Sequence, residues 1–329
     1  MRFRARVGAD QYQLITDVIQ AMYKQGEFLC LKFTRKFLHV IVNNTGAGKS
    51  SDVVPTFAKF NAADILFFEY LVESRANNEI CVECDPIQLL RASRSVKDAP
   101  EVVLKLTKKQ STARITLEAT MINGVKVIQD VPVRVLKEDE FQRTNEPVMN
   151  APEIRIMAPK DVSSIRSVVD KLKMFGKFVN ITGSLNGRLQ LKAQTDAVNI
   201  RTIYDGLQAK RGIAGSNTAN VYNDSSSNNS SSGNGFINNN TYENSNIVNN
   251  SVGNNTNYEN ENKNKNESTV IVDSKQLSQA LKCTTVRHDR ILFCLTSDEV
   301  CVVYVAIFNK VGTLVFYLPA CDRIADELE

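Results

Sequence analysis

The clearest pattern of apolar and polar positions predicts a helix and then a strand near the start of the chain. Residues 10–24 carry apolar side chains at helical spacing, so these side chains share one face. The apolar positions are Ile15, Val18, Ile19 and Met22. Gly26 is predicted to end the helix, because glycine readily adopts the positive φ found at helix C-termini. The run FLCLKF, from Phe28 onward, predicts the strand.

The same pattern returns in the second half of the chain. A helix is predicted over residues 160–175, and a hairpin that turns at Asn186-Gly187 follows it. The repeated positions are Ile165, Val168, Val169 and Leu172, then Gly176 and Phe178. An internal repeat of this kind predicts two similar domains.

A second unit is also present in both halves. CVECDPIQLLRAS and VIVDSKQLSQAL each read as a strand, an aspartate that caps a helix, and the helix itself. Asp85 and Asp273 are the predicted N-caps, and Pro86 occupies the first turn of the earlier helix. Strand-like hairpins follow both units, so each half holds two helix-plus-sheet units.

Strands outnumber helices and are mostly adjacent along the chain, which favours antiparallel pairing and an α+β class. We predict a first domain over residues 1–135, a connector over 136–152 and a second domain over 153–329. The connector is polar and carries two prolines.

One segment of the second domain has a different composition. From about 215 to 268 the chain is mostly Asn and Ser, with few large apolar residues. Such a tract cannot bury enough surface to offset its ordering entropy, so we predict a disordered insertion. Its deletion should leave thermal stability nearly unchanged.

Composition limits the class of protein. The chain has 329 residues with 43% hydrophobic content, enough for two domains with sizeable cores. The net charge of +4 permits weak contact with nucleic acid but does not require it. No apolar run approaches the roughly 20 residues that span a bilayer, and the start has no signal-like apolar core. The expected location is the nucleus, with the cytoplasm as an alternative, and the 7 cysteines are expected to be reduced.

Two motifs could indicate other chemistry. Residues 46–50, GAGKS, resemble a phosphate-binding loop, but the first glycine of that motif would fall at Asn43 and no helix start follows. Cys81 and Cys84 have metal-ligand spacing, but residues three apart on a strand point to opposite faces. With only two histidines, no catalytic constellation is visible. We therefore predict a binding protein without cofactor or metal, and keep a nucleotide-binding enzyme as an alternative.

The outward faces of the four predicted helices allow two interpretations. They are ordinary solvated faces, or they line one surface and make non-specific phosphate contacts. The first helix would contribute weakly, because Lys24 is offset by Asp17.

An ordered series of segments resembles a known family. The segments are MRFRARV, ANNEICVECD, LKLTKKQ, QDVPVRVL, NEPV followed by EIRIMAP, SIRSVVDKLK and TLVFYLPA. Together they are similar to DNA sliding clamps related to proliferating cell nuclear antigen. They resemble most specifically the Hus-type subunit of the heterotrimeric checkpoint clamp, the nine-one-one complex.

This resemblance implies a sliding-clamp fold, with antiparallel sheets outside and two helices per domain inside. Three different subunits would close a ring around double-stranded DNA through exposed sheet edges, which are expected at residues 113–119 and near 188–193. A clamp loader would open the ring, and checkpoint and repair proteins would dock on it. The implied DNA-facing residues are Lys24, Arg91, Arg94, Arg166, Lys171, Lys173, Lys275 and Lys282. The implied partner-binding residues, beside the connector, are Phe141, Pro147 and Val148. A homotrimeric replicative clamp and a scaffold without DNA contact remain alternatives.

Overall fold

The computed structural model describes residues 1–42, 53–195, 198–212 and 266–321, with the backbone alone at 142 and 143. The helices are α1 (Ala9–Met22), α2 (Pro86–Ser95), α3 (Val162–Leu172) and α4 (Ser274–Ala280). Short helical turns occupy Ala62–Leu66, Glu138–Thr144, Leu281–Thr285 and Phe308–Lys310.

Strands are the most abundant element in the described part of the chain. Those of the first half are β1 (Arg2–Gly8), β2 (Leu29–Phe33), β3 (Phe37–Val42), β4 (Thr56–Asn61), β5 (Glu69–Glu73), β6 (Ile80–Cys84), β7 (Glu101–Lys109), β8 (Thr112–Thr120), β9 (Lys126–Pro132) and β10 (Arg134–Val135). Those of the second half are β11 (Ile154–Met157), β12 (Phe178–Ser184), β13 (Arg188–Gln194), β14 (Asn199–Tyr204), β15 (Ala209–Arg211), β16 (Glu267–Asp273), β17 (His288–Thr296), β18 (Val300–Ile307) and β19 (Gly312–Pro319).

The strand order repeats between the two halves. The order β5-β1-β7-β8-β9 in the first half matches β15-β11-β17-β18-β19 in the second. Likewise β6-β2-β3-β4 matches β16-β12-β13-β14. Every pairing among these strands is antiparallel, so the predicted duplication and fold class are both present.

The two halves are joined edge to edge by β4 and β19. Their antiparallel register runs from Phe60 opposite Gly312 to Thr56 opposite Phe316. A Cβ at Gly312 would lie 2.3 Å from the carbonyl oxygen of Lys59, so only glycine allows the two backbones to approach this closely. The result is one ten-stranded sheet that crosses the domain boundary.

The sheet edges differ from those expected. Strand β8, which contains residues 113–119, lies between β7 and β9, and β13, which contains 188–193, lies between β12 and β14. The expectation of edges at these two strands was therefore wrong. The outer strands on those sides are β9 and β14.

The helices pack their apolar faces on the sheets, as predicted. All four apolar positions of α1 are buried, and its neighbours Tyr12 and Leu14 are buried as well. Helix α1 buries more of its surface than an amphipathic pattern implies, because it has neighbours on both sides. The caps are also as predicted: Asp85 accepts the N–H of Ile87 at 2.7 Å, and Asp273 accepts that of Lys275 at 2.8 Å.

Two predicted segments fall partly or wholly outside the described residues. Residues 46–50 lie outside them, as does most of the predicted insertion. At its C-terminal end the insertion is shorter than predicted, because Glu267 and Ser268 belong to β16 and Ser268 is buried. Within the described residues, no helix combines the length and apolar character needed to cross a membrane.

Candidate nucleic-acid interface

The four helices form one row that crosses the domain boundary. On one side α1 contacts α2, and on the other it contacts the turn Leu281–Thr285 that continues α4. Helix α3 contacts both α4 and the same turn. The Arg287 side chain, just after the turn, donates a hydrogen bond of 3.0 Å to the backbone carbonyl of Asp10. The row is therefore α2-α1-α4-α3. The interpretation that the helices share one surface required them to be neighbours in this way.

Four predicted cations converge at the centre of this row. Lys282 is partly buried, and its pKa is lowered first by burial and then by the positive charges of Lys24, Arg166 and Lys173. Like charges act on one another this way only at short range, because water and salt screen them beyond about 10 Å. We call Lys24, Arg166, Lys173 and Lys282 the central cation cluster; it draws on the end of α1 from one domain, and on α3 and the turn after α4 from the other.

A carboxylate moderates the charge of the cluster. Asp170 accepts hydrogen bonds from Ser278 at 2.7 Å and from Lys173 at 2.9 Å, and Arg166 lies 3.9 Å away. Partial burial opposes ionisation of Asp170, but these bonds and charges outweigh it and lower the pKa of the carboxyl group. The surface is therefore basic without being a dense block of cations.

The other four predicted DNA-facing residues are all exposed on the same row. Arg91 and Arg94 lie on α2, Lys171 lies on α3, and Lys275 lies on α4. Arg91 and Arg94 therefore lie on the helix at one end of the row, and Lys171 lies on the helix at the other end.

Arg287 was not among the residues predicted from the sequence. This exposed residue bonds to the backbone at the start of α1, and its charge acts on Asp17, although burial still raises the pKa of that carboxyl group. Because Arg287 lies between the α4 turn and β17, helical periodicity could not identify it. Only the pairing of the two domains brings it next to α1.

The connector lies on the opposite face of the ten-stranded sheet from the main core. Phe141 packs there on a separate apolar cluster, and the ammonium group of Lys32 lies 5.9 Å from its ring centroid. The buried members of this cluster are Cys30, Ile41, Phe57, Cys81, Leu136, Cys294, Val300, Val302, Tyr304, Val315 and Tyr317. Pro147 is half-buried and Val148 is fully exposed, so the three predicted partner-binding residues face different surroundings.

The two cysteines with metal-ligand spacing point to opposite faces of β6, as predicted. Cys81 belongs to the connector-side cluster and Cys84 to the main core. Burial raises the pKa of both thiols to about 12, so they are protonated and poor ligands at neutral pH. Across the parts of the chain that the structure describes, no three His, Cys, Asp or Glu residues form a group that could hold a metal ion.

The fold is that of a DNA sliding clamp. It matches the crystal structure of proliferating cellular nuclear antigen from Entamoeba histolytica with a TM-score of 0.65, over 97% of this chain and 99% of that one. At 11% sequence identity, this match establishes the fold alone.

The sequence identifies the family within that class. The family model described as Hus1-like protein matches residues 1–322, so the chain belongs to the Hus1-like family. Checkpoint protein hus1 of Schizosaccharomyces pombe is 27% identical over 217 residues, which are 63% of this chain and 71% of the relative. The Dictyostelium discoideum homolog is 24% identical over 63% of this chain and 74% of its own length. Checkpoint protein HUS1 of Homo sapiens is 30% identical over 43% of this chain and 52% of its own length.

Proposed function

We propose that this chain is a non-catalytic subunit of a heterotrimeric checkpoint clamp that encircles double-stranded DNA. In this role it supports checkpoint kinase signalling and offers a platform for repair proteins. A checkpoint clamp acts on chromosomal DNA, so the proposed location of this protein is the nucleus. A clamp loader opens and closes the ring, since a closed ring cannot pass onto DNA that has no free end.

The observation that carries this proposal is the helix row with its central cation cluster. Lys24 comes from one domain, and Arg166 and Lys282 come from the other, yet their charges act on one site. Such a surface suits a protein that is held on DNA by topology. Its cations contact phosphates irrespective of base sequence, and Asp170 keeps the attraction moderate enough for sliding.

The internal seam provides a template for ring closure. Strand β4 of the first domain pairs with β19 of the second. By the repeat, β14 is the counterpart of β4, and β9 is the counterpart of β19. These two counterparts are outer strands. Strand β14 of one subunit can therefore pair with the strand of the next subunit that is equivalent to β9. Head-to-tail contacts of this kind generate rings when the rotation closes.

Both edges carry an exposed apolar side chain suited to such a contact. Ile128 on β9 is 48% exposed, and Ile203 on β14 is 38% exposed. Main-chain hydrogen bonds would extend the sheets across the boundary, and these isoleucines would be covered. Because the two edges differ in sequence, each can select a different neighbour.

Two experiments test the proposal. Co-expressed with its two sister subunits, the chain should elute with them as one assembly of equal stoichiometry. Once loaded, that assembly should be retained on circular DNA and lost from linear DNA, because only a topological link depends on free ends.

Other outcomes would support the alternatives. A chain that forms a homotrimer by itself and stimulates a replicative polymerase would be a processivity clamp. Equal retention on circular and linear DNA, or on neither, would contradict encirclement. Binding of ATP that is lost in Lys49→Ala would support a nucleotide-dependent enzyme.

The connector face is the proposed platform for partner peptides. Phe141 is anchored on the connector-side cluster, and Val148 projects fully into solvent a few residues later. Phe141→Ala should therefore change partner binding through the shape of the connector, and Val148→Asp through direct contact.

A further inference from the structure

The turn after α3 exposes two large apolar side chains beside the helix row. Met174 is 73% exposed and Phe175 is 44% exposed. They follow Lys173 of the central cation cluster directly along the chain. Apolar side chains in this position contribute little to the core, so their exposure calls for another explanation.

The duplicated unit shows that the fold does not require an exposed aromatic residue here. In the repeat Gly176 corresponds to Gly26, so Phe175 corresponds to Gln25. Gln25 is only 2% exposed, although it is polar. The two domains therefore use the same turn differently: the second exposes Phe175, whereas the first buries Gln25 at the same position and exposes Phe28 three residues later.

The turn is held firmly in place. The N–H groups of Phe175 and Gly176 both donate to the carbonyl of Leu172, at 3.0 and 3.2 Å. The Ser274 hydroxyl donates to the carbonyl of Gly176 at 3.0 Å, and the Ser274 N–H donates to that of Lys177 at 2.7 Å. The ring of Phe175 thus projects from a backbone that is fixed to the start of α4.

The segment around Phe175 is rich in lysine. Lys171, Lys173 and Lys177 all lie within four positions of Phe175 and are all exposed. The ammonium group of Lys177 lies 5.1 Å from the centroid of the Phe178 ring. The Lys177 side chain therefore runs along the same turn. Exposed aromatic residues interleaved with lysines form the surface that binds single-stranded nucleic acid, where bases stack on rings and cations track the backbone.

We propose that this turn, which we call the Phe175 platform, binds the unpaired bases of single-stranded DNA next to the duplex held by the helix row. Bases within a duplex are stacked on one another and cannot offer a face to Phe175, whereas unpaired bases can. The inference rests on the proposed DNA-facing role of the row and adds a second kind of DNA to it. A protein partner is disfavoured, because the three lysines would have to be desolvated around a small apolar contact.

The chain contains no tryptophan, which allows a direct test with the full-length protein. Phe175→Trp introduces the only indole of the chain at the platform. Phe308→Trp is the matched control, because Phe308 is similarly exposed, at 41%, and lies on the turn between β18 and β19. Titration of each variant with a single-stranded oligothymidylate and with a duplex of equal length should quench emission only for Phe175→Trp with the single strand, since stacking requires a free base face.

Substitutions then separate base stacking from apolar contact. Phe175→Tyr should keep the affinity for the single strand, whereas Phe175→Leu should lower it about tenfold, because leucine has no ring face. Lys177→Gln should reduce the salt dependence of single-strand binding by about 0.7 in the log–log slope.

Three results would overturn the proposal. They are equal quenching in the two tryptophan variants, quenching by the duplex alone, and full affinity of Phe175→Leu for the single strand, which would show that no base stacks on Phe175. None of these would affect retention of the assembled ring on circular DNA. Failure of the platform and failure of the proposed clamp function are therefore distinguishable.

Discussion

The ammonium group of Lys24, at the end of α1, acts on that of Lys282, in the turn after α4, and helps to lower its pKa. The two residues belong to different domains and are far apart in sequence. Their proximity places repulsive positive charge on both sides of the domain boundary. A phosphate between them would relieve that repulsion, which is why we propose this position as a contact with the DNA backbone.

Lys282→Gln should separate stability from DNA binding. A lysine whose pKa is lowered by folding binds fewer protons when folded, so charging it opposes folding below that pKa. Removing the charge should therefore leave the melting temperature at pH 7 unchanged or raise it. Affinity for duplex DNA should fall, and the log–log salt slope should decrease by about 1. Calorimetry and fluorescence anisotropy measure the two effects, and a lower melting temperature with unaltered affinity would contradict the assignment. Lys108→Gln, near the end of β7, is the control and should change neither.

A single charged substitution on either outer strand should weaken binding of one sister subunit, and the two strands should affect different subunits. Ile128→Asp on β9 and Ile203→Asp on β14 would each bury an unpaired carboxylate in the proposed interface. Each should weaken association at least about tenfold. Pairwise pull-downs should show loss of one sister subunit in the first variant and of the other in the second. Ile65→Asp is the control, since Ile65 is 42% exposed but lies outside both strands; loss of both partners in either variant would contradict the assignment of edges.

The three aspartates at helix N-termini should contribute unequally to the free energy of unfolding. Asp85 and Asp273 each accept two backbone N–H groups, whereas Asp161, at the start of α3, makes no such side-chain cap. Replacement of Asp85 or Asp273 by Ala should cost about 1 kcal/mol of unfolding free energy. Asp161→Ala should cost less, and urea denaturation would show whether this order holds.

The end of the Asn/Ser-rich tract can be located by two deletions. Replacing residues 215–265 with a short Gly-Ser linker should leave the melting temperature nearly unchanged, because the tract has few large apolar residues to bury. Extending the deletion to 268 removes Ser268, which pairs with Gly183 and lies 3.0 Å from the Ser297 hydroxyl. That variant should lose about 1–2 kcal/mol, since each lost hydrogen bond contributes about 1 kcal/mol. Equal melting temperatures for the two deletions would show that β16 effectively begins later.

The edge strands illustrate where local reasoning failed. Residues 113–119 were expected at an edge, but β8 lies inside its sheet and β9 is the outer strand. A signal was available, because Pro132 ends β9 and proline is tolerated mainly at sheet edges, where its missing N–H is not needed. No comparable signal marks β14, whose position follows only from the pairing of the repeated units.

The seam between the domains could not be predicted either. Gly312 approaches the backbone at Lys59 closely, yet the two positions are separated by most of the chain. Nothing in either local sequence indicates the other strand as its neighbour. The seam nevertheless decides which edges remain free, and hence how a ring can close.

By itself the sequence determined the buried face of each helix, the aspartate caps, the duplication and the family resemblance. These features depend on backbone periodicity and on the order of residues along the chain, both of which are local. Only the tertiary structure decided that Lys24, Arg166, Lys173 and Lys282 meet, that Arg287 reaches α1, and that β9 and β14 are the outer strands. The physical reason is that such contacts depend on strand pairing and helix packing between distant segments, which the spacing of residues along the chain does not specify.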